Sequence, residues 1–345
     1  MTKQKMLIPS VAAVLAAIGL SPLAFAGHAG ACSKTSHLMH VACRAEIRDD
    51  LFVQKAKCYN EKENDEKREC LTESLEEFRE ARELCGDQFV ARQDVCADIG
   101  EAPFDPRFEP EDFDTSLSAL TTPNRYFPMG VGYRWTYGGD EEIEIEVLDE
   151  TKLIDDVVCF VVRDVVFEDG LLVEDTNDWF ALAKADGSVW YCGEEAKDFE
   201  FFEGDVPSLP ELVSIDGSFK VERDGDRSGV VFPGNQRQVG DVFRQEFSLG
   251  NAEDIGEVVS VSYGYGSDPE LDQLVPEALA DYLCNDDCVV IAEYSPLDPE
   301  AFEYKYYALD VGFFLGTNPV DEEVVFITGC SFNSGVCDNL PEIDD

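Results

Sequence analysis

The chain has 345 residues, with 73 Asp and Glu against 26 Lys and Arg, 12 cysteines, three histidines and a net charge of −47. So acidic a surface repels phosphate, which excludes nucleic acid and anionic membrane surfaces as partners, because both are held by Lys and Arg clusters. The length exceeds what one core usually serves, so two domains are expected.

The first 26 residues, MTKQKMLIPSVAAVLAAIGLSPLAFA, place Lys3 and Lys5 before a mostly apolar run that ends Ala24-Phe25-Ala26. This order predicts a secretory signal peptide over 1–26. Pro9, Ser10, Ser21 and Pro22 interrupt the run, so it is too short to read as a membrane span. No later stretch is long and apolar enough to cross a bilayer. A lipoprotein reading at Cys32 is disfavoured, since that cysteine lies six residues past the apolar run, with His28 between. All 12 cysteines follow Ala26, which in an exported chain predicts six disulfides and a secreted or periplasmic protein.

Residues 27–100 carry the clearest pattern. Cys32, Cys43, Cys58, Cys70, Cys85 and Cys96 are spaced 11, 15, 12, 15 and 11 apart, a near-palindrome. Six cysteines allow 15 pairings. The mirror spacing selects the nested set: Cys32 with Cys96, Cys43 with Cys85 and Cys58 with Cys70. Steps of 11 and 15 return to nearly one helix face, so two antiparallel helices turning around Asn64 are predicted. That face carries Ile47 and Leu51 on one helix and Leu71, Leu75 and Phe78 on the other, with charged residues elsewhere. The connector NEKENDEK between Cys58 and Cys70 is then a solvated turn clamped by their bridge. Gly86 is the expected point of kinking or breakage. His37 and His40 stand three apart beside Met39. A copper or haem site is conceivable there, but no C-x-x-C-H occurs, both flanking cysteines have partners, and Met39 faces away from the histidine pair.

Residues 101–125, rich in Pro, Phe and Asp, predict an extended connector. From Tyr126 to the C-terminus, short alternating or β-branched runs are broken by Gly and Asp-Gly turns. EEIEIEV sets acids on one face and Ile or Val on the other, as a half-buried antiparallel strand does. The expected fold class is α+β: a disulfide-stapled antiparallel α-hairpin followed by an acidic antiparallel β-barrel or half-barrel over 126–345. A helical insert is predicted near 269–283, with Leu274, Leu279 and Leu283 as its apolar marks. Three further bridges are expected: Cys159 with Cys192, Cys284 with Cys288, and Cys330 with Cys337.

The stretches YFPMGVGYRWTY, DVVCFVVRDVVFEDGLLVEDTNDWFALAKADGSVWYCGE, VGDVFRQEF and EYKYYALDVGF resemble a group of uncharacterised exported bacterial proteins. These share a Tyr-Phe-Pro-Leu opening, a Gly-x-x-Trp-x-Tyr strand, a tyrosine-rich late strand and, in some, a cysteine-bearing hairpin upstream. The resemblance implies a bacterial exported protein and brings no activity or catalytic residue. Met129 stands where Leu is usual, Cys192 is unusual, and 264–287 has the look of an insertion.

Chemistry is narrowed mainly by what the chain lacks. No histidine follows His40, so the β domain has no Ser–His–Asp or Cys–His mechanism and no His-rich zinc site. Phosphate-loop, nucleophile-elbow and zincin motifs are missing as well. Paired carboxylates of the glycosidase kind survive, with Asp164, Asp175 and Asp178 as the candidates nearest the aromatic strands. Asp224, Asp226, Ser228 and Gly229 match the first half of a calcium loop, but Asn235 replaces the bidentate Glu and Pro233 follows. No cofactor is expected; calcium is the one ion left open. The leading expectation is non-catalytic binding of an apolar small molecule or lipid in the concavity of a curled, aromatic-rich sheet. The rivals are a structural or surface-interaction protein with diffuse calcium binding, and a carbohydrate-active enzyme.

Overall fold

The computed structural model describes residues 30–343 apart from residue 203. The signal peptide expected over 1–26, and His28, lie outside the described residues. Helix α1 (Ala31–Cys58) and helix α2 (Asn64–Ile99) run antiparallel. They are joined by the disulfides Cys32–Cys96, Cys43–Cys85 and Cys58–Cys70, with Cα–Cα distances of 5.6, 5.9 and 5.5 Å. Two facing helices have too little shared apolar surface to hold together alone, and three covalent ties supply the constraint. Two expectations for the hairpin need correction. Helix α2 runs through Gly86 without a break; the Cys43–Cys85 bridge fixes the turn beside it, and one glycine costs a helix only about 1 kcal/mol. Leu75 is not in the seam: it is exposed, and the small Ser74 is buried there beside Cys58.

The β domain is one antiparallel sheet that is nearly closed on itself, so the fold is α+β. Its strands are β1 (Arg134–Gly139), β2 (Glu142–Ile154), β3 (Val157–Glu168), β4 (Leu171–Leu182), β5 (Val189–Glu195), β6 (Asp198–Glu200), β7 (Glu211–Ser214) and β8 (Arg227–Phe232). After these come β9 (Val242–Arg244), β10 (Glu246–Phe247), β11 (Ile255–Tyr263), β12 (Cys288–Tyr294), β13 (Phe302–Ala308), β14 (Gly312–Asn318) and β15 (Glu323–Cys330). Neighbours run β10-β8-β5-β4-β3-β2-β1-β15-β14-β13-β12-β11-β9. The ends of this path, β9 and β10, are separated in the chain by Gln245 alone. One short segment therefore pairs with β11 on one side and β8 on the other, and draws the sheet into a barrel.

Strand parity decides which residues face in. Ile143, Ile145 and Val147 of β2 line the interior, as the EEIEIEV alternation predicts. On β3, Phe160 and Val162 belong to the interior core, while Val157, Cys159 and Val161 pack outside with Trp179, Ala181 and Cys192. The Cys159–Cys192 disulfide lies in this outer layer. Residues 101–125 run across it: Phe108 and Phe113 cover the layer, and Asp114 N–H donates to Leu182 O at 2.9 Å.

The segment 264–287 packs outside β11 and β13, where Tyr306 Oη donates to Leu271 O at 2.6 Å. Its helix, α3, spans Glu277–Leu283 only, shorter than the 269–283 expected. Pro276 has no N–H to donate and caps the helix start. Leu274, expected on the apolar face, is exposed and adopts φ 61°, which stops a helix there. Disulfides Cys284–Cys288 and Cys330–Cys337 close two short loops, the latter around α4 (Ser334–Cys337).

Hairpin and barrel meet near the hairpin's base. Gln88 Nε2 donates to Leu297 O at 2.7 Å, and Met39 packs against Gly250, where a side chain would meet Met39 Cε at 2.9 Å. Arg92 makes a bidentate pair with Glu253, both contacts at 2.8 Å, with both side chains buried. No helix among the described residues is long and apolar enough to cross a membrane. Six disulfides point to an oxidising compartment.

Candidate functional site

Inside the barrel, an apolar cavity of about 370 Å³ is walled by Phe127, Trp135, Tyr137, Val162, Phe180 and Phe313 among others. Asp164, Asp178 and Lys305 line it and also line an adjoining second space of about 580 Å³. This second chamber is polar and carries six carboxyl groups: Asp164, Glu174, Asp178, Glu194, Glu246 and Asp254. Lys305 is the one base among the residues lining either space. The lumen is thus amphipathic, apolar at one end and acidic at the other.

Parity explains how the acids arrive there. Asp164 follows Phe160 and Val162 on the inward face of β3, while Arg163 faces out. Asp178 shares its face with Phe180 on β4. On β5, Phe180 pairs with Tyr191 and Trp179 with Gly193, which leaves Cys192 as an extra residue. This β-bulge turns Tyr191 and Glu194, three apart, into the lumen together. Glu303, Lys305 and Tyr307 alternate inward on β13.

The hydrogen bonds dictate the protonation. Tyr191 Oη lies 2.7 Å from Glu194 Oε2 and also within hydrogen-bond reach of Asp178 Oδ1. A phenol has one proton to donate. For both contacts to be hydrogen bonds, one carboxyl must bring a proton of its own. The electrostatics agree: burial lifts Asp178 to about 7, and burial together with the Asp178 charge lifts Glu194 to about 8. Burial also holds Asp164, Glu246, Asp254 and Glu303 above the usual carboxylate range, reinforced at Asp164 by Asp178 and at Glu246 by Asp254. Asp164 Oδ1 has no hydrogen-bond partner among the described residues. Burial opposes the Lys305 charge, but Glu293 and Glu303 outweigh it and hold the ammonium firmly protonated. Lys305 Nζ stands 2.6 Å from Glu293 and 3.5 Å from Glu303.

Of the three acids singled out in the sequence, Asp164 and Asp178 meet in the lumen. Asp175 does not. It faces outward and accepts from Arg163 Nε at 2.8 Å, which pulls its carboxyl below the usual range. Among the aromatics, Phe127, Trp135 and Tyr137 line the lumen, whereas Trp179 sits outside with the Lys152 ammonium 3.2 Å from its ring centre. Glu194, Glu246, Asp254, Glu303 and Lys305 were not foreseen. Parity alone marks Glu303 and Lys305, which share a face with Tyr307.

The remaining candidates stand elsewhere. His37 is exposed, while His40 packs on Phe89 and its Nδ1 lies 2.8 Å from Cys85 O. Met39 points to the barrel, so these three residues do not converge. Asp224 adopts φ 59° and pairs with its neighbour Arg223. Ser228 and Gly229 belong to β8, where Ser228 Oγ donates to Tyr191 O at 2.7 Å. The four residues read as a calcium loop therefore form a turn leading into a strand. Among the described residues, no group of three or more His, Cys, Asp or Glu is arranged to hold a metal ion. No family model, no curated protein and no solved structure matches this chain.

Proposed function

We propose that this is an exported bacterial binding protein whose barrel lumen takes one small molecule with an apolar body. The observation that carries the reading is the cavity of about 370 Å³, walled by aromatic and aliphatic side chains and sharing Asp164, Asp178 and Lys305 with an adjoining hydrogen-bonding chamber. Ligand sites typically combine a mostly apolar volume of roughly 300–1,000 Å³ with a few convergent polar groups. The polar end of such a ligand meets carboxyls that outnumber the lone lysine. It is therefore a neutral hydrogen-bonding group or a cation rather than an anion.

Native mass spectrometry of oxidised protein, purified from an exported preparation, tests the reading. The expected result is an adduct of one small molecule, lost on denaturation, with the chain carrying its six disulfides. Protein that appears only as itself, and gains no adduct when incubated with an alkyl alcohol, contradicts it.

A second reading, a surface-interaction protein, draws on the hairpin. Leu38 and Phe52, two heptads apart on α1, and Tyr59, one heptad further at its C-cap, fall on one line and are 65%, 69% and 67% exposed.

A further inference from the structure

The seam between hairpin and barrel holds another cavity, of about 550 Å³, which shares no lining residue with the lumen. Two buried arginines line it, Arg92 at 6% and Arg244 at 9% exposure. Arg92 spends Nε and Nη2 on Glu253, and its Nη1 has no partner among the described residues. Arg244 Nε has none either. The Arg244 guanidinium lies 5.6 Å from the Phe104 ring centre and 5.1 Å from that of Phe247, and its Nη2 is 3.9 Å from Cys32 Sγ.

A guanidinium does not shed its charge at any ordinary pH. Two cations therefore face one carboxylate here. Both oxygens of that carboxylate are taken by Arg92, and one also accepts from Gly250 N–H at 2.6 Å. One positive charge is left buried without a counter-ion in a chain whose net charge is −47. Orphaned buried donors of this kind are costly, and costlier still when they are charged. Most of the remaining wall is apolar, including Phe104, Trp190, Val242 and Phe247, with the hydroxyl-bearing Thr35, Ser36 and Ser228 also lining it.

We propose that the seam is a second binding site, specific for an organic monocarboxylate with a compact apolar body. The carboxylate pairs with Arg244 and takes the free Arg92 donor, and the body packs on Phe104, Phe247 and Trp190. A single negative charge matches the single uncompensated positive one. The site is independent of the lumen, whose acids repel anions.

Isothermal titration at physiological salt with 3-phenylpropionate, 3-phenylpropan-1-ol and 3-phenylpropylamine tests this on the full oxidised chain carrying Val162→Trp, whose indole fills the apolar lumen so that the seam is read by itself. The carboxylate is expected to bind one equivalent at least about ten-fold more tightly than the alcohol, with the amine not binding at the seam. Arg244→Met is expected to weaken carboxylate binding by more than about ten-fold, and Arg244→Lys to recover part of the loss. No carboxylate binding, equal affinity for acid and alcohol, or undiminished affinity in a folded Arg244→Met variant overturns the proposal. If Arg244→Met does not fold, the acid-to-alcohol ratio of the lumen-filled Val162→Trp protein decides alone.

Discussion

Raising the pH from about 5 to about 9 is expected to destabilise the protein substantially, against the usual behaviour of an ion-paired acidic chain. The reason is the lumen. Folding lifts Asp178 from its ordinary 3.8 to about 7 and Glu194 from 4.5 to about 8. The folded state therefore binds protons that the unfolded chain has released. Stability from a raised carboxyl is complete below its unfolded value and is lost as pH climbs through its folded value. The loss accordingly falls between about pH 4 and pH 8. For Asp178 taken alone it is on the order of 4 kcal/mol. Because Asp178 and Glu194 share the Tyr191 proton, they titrate as a pair and their losses do not simply add.

Surface pairs have the opposite sign. Arg163 depresses Asp175 and Arg125 depresses Asp310, so their stabilisation disappears only as pH falls below the ordinary carboxylate range. Melting temperature should thus be highest near pH 4, where the surface pairs are still ionised and the lumen carboxyls cost least. Asp178→Asn, which needs no proton at high pH, should flatten the alkaline limb. A melting temperature that stays level to pH 9, or an alkaline limb unchanged in Asp178→Asn, would show that the lumen carboxyls are not proton-bound.

The second large effect is expected at Glu253. Its carboxylate is the one counter-ion of Arg92 among the described residues, and its side chain is almost fully buried. Glu253→Ala strands two guanidinium groups in an apolar setting and is expected to cost about 3–5 kcal/mol in urea unfolding. Much of the cost is the stranded charge rather than the lost attraction. Replacing both partners, as in Arg92→Met with Glu253→Met, should therefore recover a large part of the stability. A loss under about 1 kcal/mol for Glu253→Ala contradicts the seam described above. The change also bears on the lumen, since neighbouring Asn251, Ala252 and Asp254 line the acid chamber. The hairpin holds that rim in place through Arg92 on one side and Gln88 on Leu297 on the other.

The hairpin is legible in the sequence because disulfides at matched helical spacing admit few arrangements. The inward face of β2 is legible because Glu and Ile alternate without interruption. The lumen acids are harder to read: 73 acids populate the chain, and most of them face water. What distinguishes Asp164 and Asp178 is parity, each falling in step with apolar residues of its strand instead of with the charged ones. Glu194 breaks that rule because the bulge at Cys192 shifts its face, and a bulge leaves no mark in residue order. Closure of the barrel is equally hidden. It depends on Val242–Phe247 pairing at both edges, a matter of register between strands far apart in sequence. The seam arginines pair with partners over 150 residues away or with none, which no local pattern records.

The most direct test of the lumen reading is a titration of the oxidised protein with decanol and decylamine, repeated on a Val162→Trp variant. Val162 is buried on the cavity wall, so an indole there fills the apolar space. Saturable binding of one equivalent to the unaltered protein, lost in a variant that still melts cooperatively, is the predicted result. No saturable binding to the unaltered protein, or equal binding to the filled variant, would contradict a ligand in the lumen.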